Sequence, residues 1–164
     1  MGYGAFGGQK GDLTVTDYKE LHSSLVSLVD GVPHTTANLA NASALLFSRL
    51  EGINWAGFYL CDGEKLILNA FQGKPACIEI PMGKGVCGYA ALQKQTIVVP
   101  DVHKFRGHIA CDSDSNSEIV IPLIIEGAVF GVLDIDSPHF DRFSATDREG
   151  LEKFAQILCD HIVR

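Results

Sequence analysis

The run EIVIPLIIEGAVFGVLDID, from Glu118 to Asp136, leaves this chain few architectures to choose from. Two stretches dense in β-branched residues meet at Glu126-Gly127. Such side chains pack well on a pleated surface and lose rotamer freedom in a helix. Strands joined by so short a turn are antiparallel neighbours. A second hairpin is signalled upstream. Ile53, Trp55, Gly57 and Tyr59 alternate with Asn54, Ala56 and Phe58, and Asp62-Gly63 then precedes another apolar run. Between the hairpins, CIEIPM reads as a short strand, GVCGYAALQKQ as a short helix and TIVVP as a strand.

Helical periodicity flanks these strands. Leu21, Leu25, Leu28 and Val29 share one face, Leu39, Leu46 and Leu50 another, and Pro33 punctuates between them. The last helix carries Leu151, Phe154, Leu158 and Ile162 on one stripe, and Ser144-x-x-Asp147 has the form of a capping box. Sequential hairpins with helices at both ends predict an α+β domain. Its central antiparallel sheet has helices packed on one face and short helices and loops over the other. A length of 164 residues suits a single core. Residues 1–13 are glycine-rich and lack the layout of a secretory signal, so they read as a flexible leader before a domain spanning 14–164.

A formal charge of −7 argues against nucleic-acid or anionic-membrane binding, since both need a basic face. No apolar run approaches the roughly 20 residues of a transmembrane helix. The 5 cysteines, odd in number and irregularly spaced, do not form a secreted disulfide framework and point to a cytoplasmic protein with reduced thiols.

The thiols divide into two sets. Cys61, ending a strand, and Cys159, in the last helix, read as small buried hydrophobes. Cys77, Cys87 and Cys111 fall at element boundaries, where function concentrates, and together they point to thiol redox chemistry. Cys87 lies in GKGVCG, which matches a dinucleotide-binding fingerprint. Hairpin-joined strands deny it the βαβ setting, so the motif reads as a tight turn with Cys87 exposed at the start of a helix. A metal site built from Asp101, His103, His108 and Cys111, with Cys77 and Cys87 as further contributors, lacks any short chelating spacing, and no metal or cofactor is expected; the two histidines read as loop hydrogen-bonders.

Acids surround Cys111. Asp112 and Asp114 read as solvated loop residues, whereas Glu118, Asp134 and Asp136 are embedded in strands. The two-residue period puts Asp134 and Asp136 together on one sheet face, opposite Leu133 and Ile135. Neighbouring carboxylates repel, so such a pair persists more readily beneath a cation or with a shared proton.

GKGVCG, DVHKFRGHIACDSDSNSEIV and GVLDIDSPHFDRF, with INWAGFYL and FQGKPAC, resemble the free methionine-(R)-sulfoxide reductases, which are built on the GAF fold; the resemblance runs from about Tyr18 to the C-terminus. It implies reduction of free L-methionine (R)-sulfoxide to methionine, with thioredoxin as the final reductant and a homodimeric state. It further implies Cys111 as the nucleophile that becomes a sulfenic acid, Cys77 as its resolving partner and Cys87 as a further redox or resolving thiol. Glu118, Asp134, Asp136, Trp55 and Tyr59 are implied to bind substrate, Trp55 enclosing the methyl-sulfur end.

Sulfoxide oxygen leaves only when protonated or strongly hydrogen-bonded, which calls for an acid kept neutral by burial and like charges. Glu118 and Asp136 are the candidates, with Asp134 free to hold the ammonium. Two rival readings share the fold: a GAF module that binds a small molecule without catalysis, and a thiol redox sensor.

Overall fold

The structure, a computed structural model, describes residues 13–109 and 111–162. All of the expected leader except Leu13 lies outside the described residues. Two helices come first, α1 (Tyr18–Val29) and α2 (Thr35–Arg49), followed by the hairpin of β1 (Trp55–Asp62) and β2 (Lys65–Gly73). Then come β3 (Glu79–Pro81), α3 (Gly85–Gln93) and β4 (Ile97–Val99), the second hairpin of β5 (Ser117–Ile125) and β6 (Ala128–Ser137), and finally α4 (Ala145–Asp160). The strands form one sheet in the order β3-β2-β1-β6-β5-β4, every pairing antiparallel. No helix among the described residues is long and apolar enough to cross a membrane.

Strand alternation divides the interior in two. Ala56, Phe58, Ile119, Ile121, Leu133 and Ile135 meet the stripes of α1, α2 and α4 on one face. Trp55, Tyr59, Val120 and Val132 meet α3 on the other. The second hairpin turns at Glu126 and Gly127, both at positive φ, which matches the right-handed strand twist. Its register carries a bulge: Ile124 pairs with Val129 but Leu123 pairs with Gly131, so Phe130 is the extra residue. Beyond the bulge, Glu118 stands opposite Asp136 and Val120 opposite Asp134. Without it every β5 side chain would move to the other face, and Glu118 would point into the three-helix core.

Three sequence expectations change here. Leu28 is 37% exposed, because α1 buries only the narrow stripe of Leu21, Leu25 and Val29. Cys61 is half-buried rather than enclosed, since the sheet face thins out at the end of β1. Cys87 is buried, not exposed: the first residues of α3 pack against the sheet side chains Trp55, Tyr59, Val120 and Val132.

The capping box of α4 forms as expected, Ser144 Oγ accepting from Asp147 N and Asp147 Oδ2 accepting from Ser144 N. Asp147 also accepts from Tyr18 Oη at 2.6 Å and from Arg142 Nη1 at 3.0 Å, which ties α1 to α4. A Cβ on Gly150 would collide with the anchored Tyr18 ring. Gly150→Ala therefore sets an overpacking cost of about 1–3 kcal/mol against a helix-propensity gain of about 1 kcal/mol. The expected outcome is a lower urea midpoint by roughly 1 kcal/mol of stability; an unchanged or raised midpoint would show that Tyr18 yields freely.

Candidate active site

The face of the sheet under α3 carries the three strand acids. β6 runs between β1 and β5, so Asp136 has Trp55 on one side and Glu118 on the other, while Asp134 lies between Gly57 and Val120. Gly57 has no room for a side chain, because Phe71 and the Trp55 ring fill the space. Trp55 stacks on Phe71 at 5.2 Å and on Tyr59 at 6.0 Å, forming an aromatic wall beside the acids. Both polar ends of that wall hold the 73–77 loop: Trp55 Nε1 donates to Lys74 O at 3.1 Å, and Tyr59 Oη donates to Cys77 O at 2.9 Å.

That loop ends in a disulfide. Cys77 is bonded to Cys111, with the two Cα atoms 5.8 Å apart across 34 residues of sequence. Cys111 is exposed on the loop before β5, where Asp112 caps a turn by accepting from Asp114 N. Asp112 departs from its expected solvated role. Its side chain is mostly buried, accepts from Asn54 Nδ2 at 3.5 Å and lies 4.0 Å from Lys74 Nζ. Asp114 is exposed, as expected, and binds the same ammonium at 2.8 Å.

The sheet face, the start of α3, the Lys74–Ala76 segment and the 108–115 loop enclose a cavity of about 40 Å³, room for about three waters. Trp55, Tyr59, Cys87, Cys111, Glu118, Asp134 and Asp136, all expected site residues, line it, and Cys77 is joined to it through Cys111. His108 also lines it, 3.6 Å from Glu118 Oε2. From the sequence, His108 is weighed as a metal ligand and favoured as a loop hydrogen-bonder, and Lys74 lies in the FQGKPAC motif without being singled out. Neither residue has a periodicity or spacing that would single it out.

Burial governs the protonation of this cluster. It pushes Glu118 up to about 8, with the charge of Asp136 adding to the effect. Asp134 is held well above the usual carboxylate range by burial and then by Glu118; Asp136 is held there by burial, then Asp134 and Asp112. The Cys87 thiol is likewise raised, by burial first and the three acids after it. Burial lowers His108, so at neutral pH the contact with Glu118 pairs two neutral groups rather than two ions. The result is a pocket floored by buried carboxyl groups that can donate a proton or accept a cation's charge.

The metal set weighed from the sequence does not assemble among the described residues. Asp101 caps a short 3₁₀ turn by accepting from His103 N, and the His103 ring bonds Asn116. The group close enough to share an ion is instead Cys87, Glu118 and Asp134, with ligand atoms within 4.8 Å of one another. Burial raises the proton affinity of all three, so an ion would have to displace bound protons.

The family description "GAF domain" matches residues 36–162. The chain is 52% identical to a protein named free methionine-R-sulfoxide reductase from Escherichia coli, over 86% of each chain. Among solved structures, the fRMsr of Staphylococcus aureus in complex with substrate is 48% identical with a TM-score of 0.88, covering 92% of this chain and 99% of that one. The free methionine-R-sulfoxide reductase from Neisseria meningitidis, also in complex with its substrate, is 42% identical with a TM-score of 0.86, covering 91% and 92%.

Proposed function

This chain belongs to the free methionine-(R)-sulfoxide reductases, GAF-domain oxidoreductases that act on a sulfoxide, and from that premise we propose that it reduces free L-methionine (R)-sulfoxide to L-methionine through Cys111. The observation that carries the reading is the Cys77–Cys111 disulfide over a cavity floored by Glu118, Asp134 and Asp136.

The chemistry balances as follows. Cys111 sulfur attacks the sulfoxide sulfur while Glu118, assisted by Asp136, gives a proton to the oxygen. The new S–S bond and the substrate's S–O bond then break as the hydroxyl passes to the Cys111 sulfur, so that methionine leaves with the electron pair, Cys111 becomes the sulfenic acid, and the thiol's own proton restores the acid. Cys77 then attacks the sulfenic sulfur, forming the disulfide and releasing water, and a dithiol reductant returns both thiols. Trp55 and Tyr59 enclose the methyl-sulfur end, and Asp134 takes the ammonium. Cys87 is buried behind the acids, which opposes its thiolate; it acts as a hydrogen-bonding thiol, and Cys77 is the resolving residue. Thioredoxin as electron donor, a cytoplasmic setting and a homodimer belong to the same reading, supported by the resemblance and by the cysteine usage.

Carboxylates beside Cys111 oppose its thiolate until they are protonated or neutralised by an incoming ammonium. Glu118, protonated below about pH 8, does not oppose it, and an incoming ammonium offsets whatever charge remains. The test is turnover of each methionine sulfoxide epimer with dithiothreitol. The expected result is methionine from the R epimer alone. A binding module or a peroxide-responsive thiol sensor would consume neither.

A further inference from the structure

The Cys77–Cys111 bond is not the only link between the two segments it joins. Lys74 shortly precedes Cys77 in the chain, and Asp112 and Asp114 closely follow Cys111. Lys74 Nζ donates to Asp114 Oδ2 at 2.8 Å and lies 4.0 Å from Asp112 Oδ1. The ammonium therefore spans the same gap as the disulfide, whose Cα atoms are 5.8 Å apart. Among the described residues no other ion pair joins 73–77 to 105–116.

Adjacent residues fix both ends of this ionic link to the sheet. Trp55 Nε1 donates to Lys74 O at 3.1 Å, and Asn54 Nδ2 donates to the Asp112 carboxylate at 3.5 Å. Asn54 N in turn donates to Asp136 O, on β6, at 3.0 Å. Asp112 also accepts from Asp114 N, which sets the second carboxylate in place. The Asp112 side chain is only 14% exposed, so its charge is poorly solvated and gains from a nearby cation. The hydrogen bond to Asp114, then the charges of both acids, raise the Lys74 pKa, so the ammonium is intact at neutral pH. No step of sulfoxide reduction itself needs this cation.

The link matters once the disulfide is open. After methionine leaves, Cys111 carries the sulfenic hydroxyl and no covalent bond joins the two segments. Closure has Cys77 sulfur attack the sulfenic sulfur; the S–O bond breaks, and the leaving hydroxide takes the Cys77 proton and departs as water. Its rate follows the effective concentration of one sulfur at the other, which slack between the segments lowers.

We propose that Lys74 is a positioning residue for this closure: its ion pairs with Asp114 and Asp112 hold the Cys77 segment against the Cys111 segment while thiol and sulfenic acid are still separate. This role rests on the reductase reading and concerns capture of the sulfenic acid rather than its formation.

The test sets closure against a chemical trap. Prereduced enzyme receives one equivalent of the R-sulfoxide with dimedone, which alkylates sulfenic sulfur, and mass spectrometry gives the ratio of trapped Cys111 to disulfide. Lys74→Met should raise that ratio about fivefold, the upper end of what an exposed ion pair contributes. Methionine release should stay within about twofold. Lys74→Arg should restore the wild-type ratio. Asp114→Asn should act in the same direction as Lys74→Met, and the double variant should go no further than Lys74→Met, as expected of one shared interaction. Salt at about 1 M should raise the wild-type ratio and leave that of Lys74→Met unchanged. A Lys74→Met ratio within about 1.5-fold of wild type, additive effects in the double variant, or an equal fall in methionine release would overturn the role. Failure of the wild type to form methionine would instead sink the reductase reading. Hydrogen peroxide, which oxidises the Cys111 thiol to the same sulfenic acid and is itself reduced to water, would then still report whether Lys74 governs closure.

Discussion

Replacing Cys111 by serine is expected to abolish methionine formation, with a loss of at least about 10⁴-fold in a single turnover. A hydroxyl has neither the acidity nor the soft nucleophilicity to attack a sulfoxide sulfur, and nothing else at the cavity replaces it. Cys87 is enclosed and its thiolate is opposed by three acids, while Cys77 is not among the residues that line the cavity. Cys159 provides the control. It packs with the three-helix core, on the far side of the sheet, so Cys159→Ser should leave turnover within about twofold even where it costs some stability. The measurement is methionine released from one equivalent of reduced enzyme without added reductant. Near-normal release from Cys111→Ser would remove Cys111 from the chemistry.

Glu118→Gln should slow the same single turnover by about 10²- to 10³-fold, within the range that general acid catalysis contributes. Glutamine keeps the size and can still donate a hydrogen bond, but it cannot deliver a proton. The pH profile separates the two roles. Glu118 is raised from 4.5 to about 8, so the wild-type rate should decline as pH rises through about 8, the apparent value belonging to the acid cluster as a unit. The glutamine variant should lack that descending limb. Stability follows the same sign. The folded state holds a proton that the unfolded chain releases at 4.5, so this contribution is whole below pH 4.5 and lost as pH rises through about 8. The variant should thus gain on wild type in alkaline urea titrations. An unchanged rate and an unchanged alkaline limb would exclude Glu118 as the acid.

Much of the fold was legible because its causes are local. Turn residues at Asp62-Gly63 and Glu126-Gly127, strand alternation, the helical stripes and the Ser144–Asp147 box each act within a few residues, and each forms as expected. The shared face of Asp134 and Asp136 follows from strand period alone. Leu28 marks the limit of periodicity: it belongs to an apolar face by spacing, but only packing decides how wide a stripe a helix buries.

The chain's own order of residues determined the strands, the helices, the pairing of hairpins and which acids share a strand face, since near neighbours impose those choices. The tertiary structure alone decided that the bulge at Phe130 brings Glu118 beside Asp136, and that α3 buries Cys87 against the acids. It likewise folded Asp112, His108 and the Lys74–Ala76 segment around the same cavity. Protonation depends on how much water is excluded, and segments distant in sequence exclude it here. Burial of that kind is what holds a carboxyl group's proton toward neutral pH.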